Sequence, residues 1–155
     1  MKVIFFIYTL MLLTSEVLAQ NIPATHHLSV FTTPPKWANN LSSINLGDYY
    51  DYIIQDNPKE QIIGFLSFGE REIGIKPPYK SFLYISLNNN GIFLKHINSS
   101  TVGNNYTHTF LNGDIKVVLD FDGVRHSASG NGNGGVFKLF HKGKNIKTTK
   151  FWSSI

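Results

Sequence analysis

From residue 27 onward the chain is a succession of short runs of β-branched and aromatic residues, each closed by glycine, asparagine or proline. Strands fit this description. Amphipathic helices, which repeat an apolar residue every three or four positions over ten or more residues, do not. The runs fall at 27–32, 49–54, 61–68, 82–87, 92–97, 106–111, 115–121, 136–141 and 147–152. Their spacing predicts an all-β fold, an antiparallel β-sandwich of two sheets, with a small barrel as the alternative.

The turns between these runs carry the local signal. Asn112-Gly113 suits the two positive φ angles of a type I′ turn. A two-residue loop there pairs Leu111 with Asp114, Phe110 with Ile115 and His108 with Val117. Ile115, Val117, Leu119 and Phe121 then share a face with Tyr106, His108 and Phe110, while Asp114, Lys116, Asp120 and Asp122 take the other. A second turn is expected within 88–91, between strands apolar on both faces, a pattern of strands covered on both sides. A third is expected at 142–145. Pro34-Pro35 ends any strand, because proline has no N–H for a ladder. The glycines of 130–135 read as a flexible loop.

Ahead of the β runs, Lys2, the apolar stretch from Val3 to Leu13 and the small residue Ala19 form the pattern of a secretory signal over 1–19. The apolar stretch is about 11 residues, short of the roughly 20 that span a bilayer, so no transmembrane span is expected. Residues 20–155 are then one secreted or periplasmic β domain. Its length allows roughly two-thirds of the unfolded surface to be buried, enough for a core without cross-links. That matters because the chain has no cysteine, an uncommon state for a small exported domain. Sequons stand at Asn40, Asn98 and Asn105 in an asparagine-rich chain.

Charge is unevenly placed. The net charge is +4, and every charged residue after Asp122 is basic: Arg125, Lys138, Lys142, Lys144, Lys147 and Lys150. A basic end attracts anionic polymer or an acidic protein, while lysines also guard sheet edges against pairing.

Few residue patterns carry chemistry. Val117 to Val124, four apolar residues and then Asp-Phe-Asp-Gly, is similar to the first motif of haloacid-dehalogenase-type phosphatases. That resemblance implies a nucleophile at Asp120 and an acid/base at Asp122. Only about 33 residues follow Asp122, fewer than two βαβ units of about 30 residues each. Read alone, Asp120 and Asp122 are two carboxylates on one strand face, about 6.6–6.8 Å apart along it. The six histidines show no zinc spacing and no elbow motif accompanies the serines, so neither a metal nor a cofactor is expected. Aromatic residues near apparent loops are better binding candidates, namely Trp37, Tyr49, Tyr50 and Tyr52. Asp120, Asp122, Arg125 and His126 complete the candidate set. The expected function is a non-catalytic binding module that engages a protein partner in the manner of an inhibitor. A carbohydrate-binding module or small glycan-active enzyme is the alternative, and capture of an anionic surface polymer a third. No nucleic-acid partner is expected.

Overall fold

Asparagine and glycine at the chain reversals decide how the strands follow one another. In the computed structural model, which describes residues 26–33, 35, 51–68, 81–127 and 130–154, four tight turns use positive φ angles. Asn88 and Asn89 have φ of 50° and 63°, and Lys142 and Gly143 have 50° and 77°. These are type I′ hairpins, whose twist matches that of the strands they join. At Gly103 and Gly113 one residue supplies the positive φ.

The resulting strands are β1 (Leu28–Ser29), β2 (Asp51–Gln55), β3 (Ile62–Ser67), β4 (Phe82–Leu87), β5 (Asn90–Val102), β6 (Asn105–Asn112), β7 (Ile115–Ser127), β8 (Gly130–His141) and β9 (Lys144–Ser154). Each of β2 to β9 pairs antiparallel with its neighbour in sequence, and β9 returns to pair with β2 through Ile54 and Trp152. The eight strands therefore close into a barrel, with β1 added on the end of β4. The fold is all-β as the sequence predicts, but the barrel replaces the sandwich. Closure leaves no strand edge within the ring.

Four bulges bend the strands so that the ring can close. The extra residues are Ile63 in β3, opposite Ile53/Ile54, Ile97 in β5, Asp122 in β7 and Ile146 in β9, opposite Leu139/Phe140.

The predicted 112–113 hairpin forms with a different register. The loop is Gly113-Asp114, with Asn112 opposite Ile115, Phe110 opposite Val117 and His108 opposite Leu119. Glycine alone takes the positive φ, at 55°, as at the first central position of a type II′ turn. The slip relative to the expected pairing is two residues, so side-chain parity survives and the predicted inward set is kept.

The 130–135 segment is not a loop but the first half of β8. A Cβ on Gly132 would overlap the Ser153 carbonyl, and one on Gly135 the Asp120 carbonyl. These glycines let β8 lie close to its neighbours.

Inside the ring, Ile53, Leu83, Ile85, Leu94, Phe110, Val117, Leu119, Phe137, Leu139 and Phe151 have no exposed surface. A second aromatic layer clothes part of the outer wall. Phe31 packs edge-on to Phe65 at 4.9 Å, and Phe93 contacts Phe82 at 5.2 Å and Tyr84 at 4.6 Å. This layer explains why β4 is apolar on both faces. Among the described residues, no helix is long and apolar enough to cross a membrane.

Candidate functional site at the barrel mouths

Eight strands enclose a space just wide enough for side chains or one small ligand. Here Phe110, Phe137 and Phe151 occupy the middle with their neighbours, all fully buried. Ligands are therefore met at the two ends.

One mouth is built by the Lys142-Gly143 and Gly113-Asp114 turns. Ile115 and His141 face each other across β7 and β8, and the backbone N–H of Lys142 donates to the Asp114 carbonyl at 2.9 Å, tying the two hairpins together. The N-terminal segment closes the side. His27 N–H donates to Asn88 Oδ1 at 2.8 Å, and the Asn88 N–H to the His27 carbonyl at 2.8 Å. This anchors His26 with its ring edge-on to His141, centroids 4.2 Å apart. His26, Asp114, Ile115, His141, Lys142, Lys144 and Ile146 line a pocket of about 660 Å³. That volume lies in the range of small-molecule and side-chain sites. Its floor is apolar, from Ile115 and Ile146. Its rim sets two lysines and two imidazoles against one carboxylate. Such a pocket suits a carboxylate or other anionic group carried on an apolar stem.

The opposite mouth contains a histidine pair. Strand alternation puts His96 on the inner face opposite Phe110, and the bulge after it inserts one extra residue. Parity is thereby shifted, and Ser99 comes opposite His108 on the same inner face. Ser99 Oγ lies 3.1 Å from His96 Nε2 and 2.9 Å from His108 Nδ1, and the two ring nitrogens are 3.3 Å apart. Phe68 packs on His108 at 4.5 Å and edge-on to His96 at 5.4 Å, with Phe110 against His96 at 5.2 Å. Burial among these rings lowers the pKa of both imidazoles. The Asn98 backbone partly offsets the shift at His96, and the neighbouring His96 adds to it at His108. A serine beside a histidine has the reach of a nucleophile and its base, but this hydroxyl is shared between two rings. Among the described residues, no three His, Cys, Asp or Glu side chains converge on a metal position.

Of the residues singled out from sequence, Tyr52 and Asp120 lie on the outer wall rather than at either mouth. Trp37, Tyr49 and Tyr50 are outside the described residues. Tyr52 is half-buried on the outer wall, 5.5 Å from Phe65, and belongs to the aromatic layer there. Asp120 also faces outward, accepting hydrogen bonds from Lys138 Nζ at 2.6 Å and Thr107 Oγ1 at 2.8 Å. Burial alone would raise its pKa, but these hydrogen bonds and the lysine charge lower it overall. Asp122 does not continue that row, because it is the extra residue of the β7 bulge. Arg125 and His126 stand in β7 opposite Gly132 and Asn131. The phosphatase-like segment is thus the middle of a barrel strand that is followed by another antiparallel strand, not by the βαβ units the resemblance would need.

Sequence reasoning placed His108 inward, as it is, but did not reach His96, Ser99 or His26. Their strands give the alternation, while only the bulge and the anchored N-terminal segment bring the side chains together. Comparison of the chain with family models, with curated proteins and with solved structures finds no match.

Proposed function

We propose that the protein is an exported, non-catalytic binding module that engages a protein partner at the His141 mouth. The observation that carries this reading is the pocket there, with an apolar floor at Ile115 and Ile146 and a rim bearing Lys142 and Lys144. An acidic side chain or a C-terminal carboxylate of the partner enters the pocket and meets the lysines. The filled interior supports the reading too, because it leaves recognition to a surface held rigid from below.

Affinity here comes from two sources that respond differently. The floor contributes apolar burial at about 25 cal/mol per Å². The lysines contribute mainly encounter rate and specificity, which weaken as salt rises. The test is capture of partner proteins on immobilised wild type and on Lys142→Glu/Lys144→Glu. Loss of one near-stoichiometric partner in the variant supports the reading. Equal retention by both refutes it.

A second reading, capture of an anionic polymer, is favoured by the run of exposed lysines along β9, Lys144, Lys147 and Lys150. It predicts retention on an anionic polysaccharide column that falls steeply with salt and that weakens with Lys147→Glu/Lys150→Glu.

A further inference from the structure

The mouth opposite the pocket holds donors that partner binding does not use. His96 Nε2, His108 Nδ1 and Ser99 Oγ form a triangle with edges of 3.3, 3.1 and 2.9 Å. In a tetrahedral zinc site each nitrogen is about 2.0–2.1 Å from the metal, so two such ligands are about 3.3–3.4 Å apart. The two imidazoles already stand at that spacing. We propose that His96 and His108, with Ser99 as an oxygen donor, bind a borderline divalent transition-metal ion of the Zn²⁺ or Cu²⁺ kind.

Three features support the assignment. Imidazole is a preferred ligand of these ions and must be neutral to bind them. Burial lowers the pKa of both rings, the direction that favours the ligating form. Second, the rings are held in place before any ion arrives. Phe68, Phe110, Tyr106 and Phe121 pack around them, with Tyr106 5.8 Å and Phe121 5.7 Å from His108. The Asn98 backbone hydrogen-bonds His96. A backbone hydrogen bond to a ligating ring helps to fix its tautomer and direction. Third, Ser99 is exposed, so solvent reaches the site and water can complete the coordination.

The hydroxyl lies within hydrogen-bond distance of both ring nitrogens. Binding of the ion requires His96 Nε2 and His108 Nδ1 both to be free of a proton, with each ring's N–H on its other nitrogen. With two nitrogens and a hydroxyl in place of three strong ligands, the site binds more weakly than structural zinc sites.

The experiment is calorimetric titration of the purified, chelator-treated protein with Zn²⁺, repeated with Cu²⁺ and with Ca²⁺. One Zn²⁺ per chain is expected, with Cu²⁺ tighter, as the order of divalent affinities requires. Ca²⁺, which takes oxygen ligands, should not bind here. His96→Ala and His108→Ala should each weaken Zn²⁺ at least tenfold, while His26→Ala/His141→Ala leaves it unchanged. Imidazole nitrogen resonances of the wild-type protein give a readout that needs no variant to fold. Those of His96 and His108 should move on adding Zn²⁺, and those of His26, His27 and His141 should not. Absence of Zn²⁺ binding, loss of it only in the His26/His141 variant, or Zn²⁺-dependent shifts confined to other histidines would each overturn the proposal.

Discussion

Truncating Phe137 to alanine tests whether the barrel interior is packed solid, on which the location of binding at the mouths depends. Phe137 lies in the middle of β8, opposite Leu119 on one side and Thr149 on the other, and has no exposed surface. Removing a fully buried phenylalanine costs about 3–5 kcal/mol, the sum of lost transfer energy and the cavity left behind. A closed ring of hydrogen-bonded strands cannot easily collapse into that cavity, so the upper half of the range is expected. For a domain whose whole stability is about 5–15 kcal/mol, this is a large fraction. With a urea slope of about 2 kcal/mol/M, the unfolding midpoint should fall by about 2 M. The assay is equilibrium urea unfolding followed by circular dichroism, with Lys150→Ala on the exposed wall as control. That control should stay within about 0.5 kcal/mol of wild type. A cost below about 1 kcal/mol for Phe137→Ala would mean an interior loose enough to hold a ligand, and the reasoning that confines recognition to the mouths would fail.

The glycines of β8 predict a second contrast. Gly135→Ala, which forces β7 and β8 apart at the Asp120 carbonyl, should cost about 3 kcal/mol. Gly103→Ala, in open space at φ +61°, should cost about 1–2 kcal/mol; equal losses in urea unfolding would refute the close-approach argument. The Lys138–Asp120 pair, with side chains 39% and 32% exposed, should contribute only about 0.2–1 kcal/mol, so Asp120→Asn is nearly silent at neutral pH and more so in high salt. Because folding lowers the Asp120 pKa, the contribution is fully present above the ordinary value of 3.8 and is lost as pH falls through the lower folded value. Urea midpoints of wild type and Asp120→Asn should accordingly converge in acid, and a gap that widens there would contradict the ion pair.

The parts of this fold that depend on neighbours in sequence were legible before the structure. Phe82–Leu87 is a strand with the predicted bounds, and the 88–91 and 142–145 turns form where asparagine, lysine and glycine supply positive φ. The inward face of the 106–121 hairpin followed from alternation alone, and it survived a register that differed by two residues. What could not be read was pairing between the first and last strands of the ring, because nothing local to Ile54 or Trp152 identifies the other. The glycines of 130–135 misled for a related reason. Their need for close approach depends on partners outside the segment, Asp120 lying 15 residues before Gly135 and Ser153 lying 21 residues after Gly132. The two mouths show the same limit. His96 and Ser99 share a face only because the bulge between them changes parity, and His26 meets His141 only after the chain has closed.

The most direct test of the account is retention of a partner by the His141 mouth. Wild-type protein and Lys142→Glu/Lys144→Glu are immobilised in parallel and exposed, at low and at high salt, to proteins of the same organism. The account predicts one near-stoichiometric protein on the wild type, at least tenfold less of it on the charge-reversed variant, and weaker retention as salt rises. Retention of the same protein by both, or of none by the wild type, would contradict it.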